Sequence, residues 1–389
     1  MVDGQQSSLV YNTLKQREVS RDMNVFRCTN CLNISTRPRI AFDENGVCNA
    51  CQWAEEKKKI DWSARLRELD ELIESSRSNG SRYDCIVPVS GGKDGSYVSY
   101  NLKHKIGVSP LAITIRPPLE MEIGKKNLDG FVNSGFDHLH ITPSHEAMRQ
   151  LNKHGFIEKG FPYYGFLVAI HTAVLRMAVN LGINLIVYGE DGEVEYGGST
   201  ETKDRATYDT SYQKRVYLED GFEKVLSKLD VEESDLYFFT FPDDEYLKNI
   251  KLTHWSYYES WDPYRNYLTA KEFCGLQENV DSNQGTFTNF AQNDQYLYAL
   301  HTYMMFLKFG FGRATQDVGI EIRRGAMTRE QGLNLVRIYD AYYPEEFLEY
   351  YLEYYRMTEK EFSGVLDRWA NKDLFVKKNG EWTLKDEIA

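Results

Sequence analysis

The stretch Cys85-Ile-Val-Pro-Val-Ser-Gly-Gly-Lys-Asp-Gly-Ser-Tyr97 runs from apolar residues into a serine, two glycines, a lysine and an aspartate, and then resumes as a helical pattern. A buried parallel strand must turn at the carboxyl edge of its sheet, where ligands of open α/β folds bind. Ser90, Gly91 and Gly92 let backbone N–H groups converge there, and the following helix adds its positive end. Lys93 adds a point charge, so the chemistry is that of a phosphate site. Two familiar phosphate motifs do not fit. A Walker A loop needs glycine where this chain has Val87 and Ser or Thr where it has Asp94, and the dinucleotide fingerprint needs glycine at Lys93.

A second constellation pairs CTNC, at Cys28 and Cys31, with CNAC, at Cys48 and Cys51, 16 residues further on. Cysteines three apart turn both sulfurs toward one point, and two such knuckles supply a tetrahedral set suited to Zn²⁺; a rubredoxin-like iron is the other metal reading, and disulfides the reading without metal. A closed four-thiolate site has no open position, so its expected work is structural. The insert, with Pro38 and a DENG turn, reads as a short ribbon hairpin. Cys85 and Cys274 stand alone and read as core residues.

These residues need elements to hold them. The 389 residues carry a net charge of −12, which argues against non-specific grip on nucleic acid. The 27 tyrosines favour partly wet surfaces and packed helices. Residues 1–24 read as a flexible lead with no signal-peptide pattern, and the apolar stretch 161–186 is broken by His171, Arg176 and Asn180, so no membrane insertion is expected and a cytoplasmic protein is. A surface helix is predicted over 61–78 from the stripe Leu66, Leu69, Leu72 and Ile73. Strands at 85–89, 111–115, 139–141 and 185–188 alternate with helices near 96–104, 127–133, 145–153 and 166–180, which predicts α/β architecture: a parallel sheet with helices on both faces. Residues 190–233 read as a long polar loop with some helix, and the chain beyond Trp255 as mainly helical. The expected division is a four-cysteine ribbon (25–55), a linker helix (56–82), a nucleotide-binding domain (83–280) and a helical C-terminal region (281–389).

The loop fits a third pattern, Ser-Gly-Gly-x-Asp-Ser, and so resembles the pyrophosphate loop (PP-loop) of the ATP pyrophosphatases, whose fold is that of the adenine nucleotide alpha hydrolases. Gly95 stands where that pattern has serine, and Ser96 is the expected substitute. With the cysteine ribbon, YGEDGEVEYGG (188–198), HWSYYESWDPY (254–264) and KFGFGRATQD (308–317), the chain is similar to the N-acetyl sugar amidotransferases of WbpG/PseA type, from about Phe26 to Arg329. The resemblance implies that an acetamido group on a nucleotide-linked sugar becomes an acetamidino group, in lipopolysaccharide (O-antigen) or other surface polysaccharide biosynthesis. ATP and Mg²⁺ would activate the amide oxygen by adenylation. Ser90, Gly91, Gly92, Lys93, Asp94, Gly95 and Ser96 would hold the phosphates, with Thr114, Ile115 and Arg116 near adenine and Gly189 and Glu190 near the α-phosphate or metal.

The same resemblance makes Lys308, Arg313 and Asp317 candidate contacts to phosphate or sugar nucleotide, with a solvated helical face as the plain alternative. It also makes Tyr196, Gly197, Gly198 and Trp255 candidate substrate contacts. Trp255, Tyr257, Tyr258 and Trp261 read equally as a core aromatic cluster, and His254 as a packed histidine. No glutaminase signature is present, so a separate glutaminase subunit is implied, similar to that of imidazole glycerol phosphate synthase (HisH-like), with a HisF-like cyclase subunit beside it. Two other readings use the same residues: a PP-loop tRNA-modifying enzyme of thiolation or lysidine type, and a non-catalytic zinc and nucleotide-binding scaffold.

Overall fold

The apolar runs become five short strands, β1 (Cys85–Pro88), β2 (Pro110–Ile115), β3 (His138–Ile141), β4 (Leu185–Tyr188) and β5 (Lys251–His254). A computed structural model describes residues 25–385 except Asn79; the expected lead over 1–24 lies outside the described residues. All five strands pair in parallel, in the order β3-β2-β1-β4-β5. Parallel strands need crossovers that cover both faces, which is why β1, β2 and β4 are nearly all apolar. Ile86, Ile113 and Ile186 pack on one face against α5 (His145–Lys159) and α6 (Tyr164–Leu181). Val87, Ala112 and Val187 pack on the other against α2 (Trp62–Ser76), α3 (Lys93–Tyr100) and α4 (Glu122–Asn133), all of which follow α1 (Asn49–Lys57). Strand order reverses between β1 and β4, so the crevice at their carboxyl ends is the expected ligand position.

Between β4 and β5 the chain forms only short helices: α7 (Gly192–Tyr196), α8 (Thr210–Tyr212), α9 (Glu223–Leu226) and α10 (Asp244–Leu247). Beyond β5 come α11 (Pro263–Phe273), α12 (Leu297–Phe309), α13 (Arg313–Arg323), α14 (Arg329–Tyr339), α15 (Leu348–Tyr355) and α16 (Glu359–Trp369), then a hairpin of β6 (Phe375–Lys378) and β7 (Glu381–Leu384). Helices α12, α15 and α16 share a core with Phe156 of α5, so the C-terminal helices build onto the sheet's own layer. Among the described residues α6 is the one helix whose length and composition could cross a membrane, but 61% of it is buried in this core.

The structure departs from the sequence reading in three places. Strand β5 was not expected, because Lys-Leu-Thr-His lacks an apolar run and follows a long polar segment. Helix α3 starts three residues earlier than expected, directly on the glycine loop, and runs into a π turn over Asn101–Ile106. The cysteine segment forms no ribbon strands among the described residues. It makes two single bridges, Arg27 with Ile34 and Phe42 with Cys48, and its last cysteine sits on α1.

Candidate active site and cysteine centre

The glycine loop is shaped by close packing. Gly91 takes φ +78°, and a Cβ there would fall 2.3 Å from the backbone nitrogen of Leu128 on α4. Helix α3 then begins at Lys93 with no side chain capping its N-terminus, which leaves first-turn N–H groups available to an anion. A cavity of about 490 Å³ opens there, lined by Ser90, Gly92, Lys93, Asp94 and Gly95 from the loop and by Gly189 and Glu190 after β4. Lys93 pairs with Asp94, whose Oδ1 is buried without a hydrogen-bond partner. Gly95 explains the departure from the serine of the PP-loop pattern, since a Cβ would lie 2.8 Å from the Pro88 carbonyl oxygen. Ser96 does not take over that serine's place. It is fully buried, outside the cavity, and its hydroxyl has no partner.

Glu190 faces Asp94 across the crevice. Burial, and then the neighbouring Asp94, push its carboxyl upward, with Lys93 opposing them. Tyr196 Oη donates to its two oxygens at 2.8 and 2.9 Å, and Trp261 Nε1 donates at 2.8 Å. Arg313 enters from the start of α13, its Nε donating to Asp317 Oδ1 at 2.8 Å, while Thr286 Oγ1 donates to Asp317 Oδ2 at 2.6 Å. Burial works against the guanidinium charge, but Asp317, Tyr196, Glu190 and Asp94 together hold it positive. Two cations, two carboxylates, a glycine cradle and an open helix end fit a polyphosphate with a hard divalent cation, for which the free Asp94 Oδ1 and the Glu190 carboxylate are suitable oxygen donors.

The other predicted residues divide. Ile115 lines the cavity with Ile113, Phe166, Ile170 and Val174, an apolar wall of the kind a purine ring packs on. Thr114 faces the sheet and donates to the Val89 carbonyl at 2.8 Å, steadying the loop's entry, whereas Arg116 lies outside the cavity lining, 3.6 Å from Glu120. Asp317 positions Arg313 and does not line the cavity. Gly197 and Gly198 lie at the junction with the cysteine segment, where Asn49 Nδ2 donates to the Gly198 carbonyl at 2.8 Å. Trp255 is a core residue donating to Glu259 at 2.9 Å. Lys308 also lies off the cavity. Its ammonium donates to the Lys159 carbonyl at 2.8 Å beside the Phe309 and Trp369 rings, and burial pushes it down to about 8. The cavity also has walls the sequence reading did not assign to it: His171, Tyr188, Tyr208, Tyr217 and His254 on one side, and Asn127, residues 290–294 and Tyr298 on the other.

The four cysteines meet as their spacing predicted. All are buried, their sulfurs lie within 4.8 Å of one another, and none forms a disulfide. Cys28 to Cys51 is 3.9 Å and Cys31 to Cys48 is 3.6 Å; zinc–sulfur bonds of about 2.3 Å at tetrahedral angles put sulfurs about 3.8 Å apart. Backbone N–H groups of Cys48 and Asn33 donate to Cys28 Sγ (3.2 Å) and Cys31 Sγ (3.4 Å), as thiolate ligands favour. The centre is tied to the β4 loop. Asn33 Nδ2 donates to Cys48 Sγ (3.5 Å) and to the Tyr196 carbonyl (3.0 Å), while Trp53 Nε1 (2.9 Å) and Lys57 Nζ (2.7 Å) reach Glu195.

A five-stranded parallel sheet in this order, with SGGKD at its switch point, defines an open α/β fold whose glycine loop, paired cations and facing carboxylates are suited to a nucleotide polyphosphate. More particularly, residues 284–388 match the family model described as the LPS biosynthesis protein WbpG-like, C-terminal domain, as the resemblance in the sequence anticipated. This matched part supplies residues 290–294, Tyr298 and Arg313 to the cavity. A curated relative, the uncharacterized protein MJ1599 of Methanocaldococcus jannaschii, is 27% identical over 90 residues, which is 23% of this chain and 32% of the relative, so the match spans about a third of that protein's length. Among solved structures the chain is similar to the U34-tRNA thiolase NcsA from Methanococcus maripaludis with its 4Fe-4S cluster. That likeness has 14% identity and a TM-score of 0.30, and covers 78% of this chain and 88% of that one.

Proposed function

We propose that the protein is an ATP-dependent amidotransferase that converts an acetamido group of a nucleotide-linked sugar into an acetamidino group, in lipopolysaccharide or related surface polysaccharide synthesis in the cytoplasm. One observation carries this reading: the WbpG-like segment places Arg313 on the same cavity as the glycine loop and Glu190. An amide carbon is a poor electrophile, and its oxygen leaves only when esterified. The loop's N–H groups, Lys93 and Arg313 would hold the β- and γ-phosphates and steady the leaving pyrophosphate. Asp94 and Glu190 are the residues that would hold Mg²⁺, which supplies charge neutralisation on the phosphates. The amide oxygen attacks the α-phosphorus, pyrophosphate departs, and ammonia then displaces AMP from the imidate carbon. The cysteine centre holds Zn²⁺ in this reading and braces the β4 loop.

The test is radiolabelled ATP with a panel of UDP-linked N-acetyl sugars, with ammonium chloride as nitrogen source. AMP and pyrophosphate should appear only when sugar is present, and mass spectrometry should show O replaced by NH. AMP formation with tRNA and not with sugars would give the chain to the tRNA-modifying class instead. Asp94→Ala should abolish pyrophosphate release while leaving the melting curve nearly unchanged.

A further inference from the structure

The cavity does not end at the glycine loop. On the β4–β5 side it continues into a recess walled by His171 of α6, Tyr188 and His254 at the two strand ends, and Tyr208 and Tyr217 from the segment between those strands. Tyr208 is fixed there because its backbone bridges Leu252 of β5. Gln213 and Tyr217 bracket a π turn, an unusual geometry that recurs at functional sites, and both side chains reach the recess residues.

Two buried polar atoms at or just behind this recess lack partners. With its amide NH₂ facing His171 Nδ1 (3.1 Å) and Tyr188 Oη (3.4 Å), the fully buried Gln213 has its Oε1 without a partner. The Tyr208 hydroxyl, on the cavity wall near the Gln213 amide, is also buried and has no partner at good hydrogen-bonding geometry. Buried polar atoms are nearly always satisfied, so an orphan on the cavity wall at Tyr208, with a second at Gln213 behind the lining residues His171 and Tyr188, calls for a ligand rich in N–H or O–H donors. Behind the wall runs a connected line: Tyr217 Oη lies 3.3 Å from His254 Nε2, and His254 Nδ1 lies 3.8 Å from Asp191 Oδ2. Asp191 is fixed in turn by the Thr202 hydroxyl and the N–H groups of Glu193 and Val194.

We propose that this recess is the site of the nitrogen nucleophile: Tyr208 Oη, with Gln213 behind it, accepts its N–H groups, and Tyr217, backed by His254 and Asp191, takes the proton it sheds. The assignment rests on the amidotransferase reading. As the ammonia lone pair forms the bond to the imidate carbon, the C=N π pair moves onto the sugar nitrogen and the incoming nitrogen becomes positive. One of its protons passes to Tyr217 Oη while the Tyr217 proton passes to His254 Nε2. The pair on the sugar nitrogen then re-forms the double bond to carbon as the carbon–oxygen bond breaks, that bond's electrons leave with AMP, and the amidine remains.

The full-length chain, with its cysteine centre metal-loaded, is tested as Tyr208→Phe and Tyr217→Phe. Both keep the ring, and the first removes a hydroxyl without a partner at hydrogen-bonding geometry; the second removes the contact to His254, so melting curves of both variants separate lost folding from lost chemistry. Tyr208→Phe should raise the KM for ammonium chloride about ten-fold, and Tyr217→Phe should lower the ammonium-dependent kcat by roughly 10²-fold, the usual contribution of a proton acceptor. Sugar-dependent ATP–pyrophosphate exchange should survive in both, and hydroxylamine, a more weakly basic nucleophile that sheds its proton readily, should restore much of the Tyr217→Phe rate. Loss of exchange in step with turnover, or unchanged ammonium kinetics, would overturn the assignment. If no sugar supports exchange even in the unaltered protein, the amidotransferase reading fails. The recess is then judged by crystals soaked in rubidium chloride, an ammonium-sized cation: an anomalous peak between Gln213 and Tyr208 keeps it as a site for such a cation, and none removes it.

Discussion

Gly95 and Asp294 show how single residues set the terms of the cavity. The PP-loop pattern offers serine at position 95, yet the Pro88 carbonyl lies where its Cβ would go. Gly95→Ser should therefore destabilise the protein by about 1–3 kcal/mol, read as a lower urea midpoint, although it moves the sequence toward the pattern. Asp294, on the opposite wall, is pushed up to about 6 by burial, with its own backbone and Tyr298 opposing. The folded protein thus keeps a proton that the unfolded chain releases near pH 4. That contribution to stability is whole below pH 4 and is lost as pH rises through 6. It amounts to at most about 3 kcal/mol, less after solvent screening. Asp294→Asn should flatten the fall in urea midpoint between pH 4 and 6; an unchanged slope would show that the carboxyl titrates normally.

At the scale of elements, the cysteine segment and the β4 loop act as one piece, joined through Asn33, Trp53 and Lys57. Cys48→Ser should lose its metal by elemental analysis and also weaken ATP binding roughly ten-fold by titration, because Tyr196 and Glu190 lose their brace. Retention of one metal per chain would mean that the ligand set is wrong. The elements legible in the sequence were those whose burial is complete. β1, β2 and β4 read as apolar runs, α6 as a core helix, and the two knuckles as one metal set. What escaped was written in weaker signals. β5 lies at the sheet edge and mixes polar with apolar residues, so its four residues show no pattern. Tyr208, Gln213 and Tyr217 sit in a polar segment whose single clue was its density of tyrosine. Lys308 and Trp255 had the right residue types, but their partners, the Lys159 carbonyl and Glu259, are invisible without the fold.

At the scale of the whole molecule, the cavity is assembled from distant parts of the chain: the loop after β1, the residues after β4, and Arg313 from the WbpG-like segment. In the proposed reaction nitrogen comes from a separate glutaminase. The purified chain should then form AMP with ammonium chloride and sugar but not with glutamine, and should gain glutamine dependence only when a glutaminase is added; turnover on glutamine alone would place that activity within this chain. The amide of Asn33 touches both a sulfur and the Tyr196 carbonyl, so a metal held by the four cysteines would be felt at the β4 loop through one side chain. A cell short of that trace element would make chains whose sheet is sound and whose β4 loop is unbraced. Under the proposed function their ATP would stay intact, and scarcity alone would silence the proposed sugar modification with no sensor or repressor required.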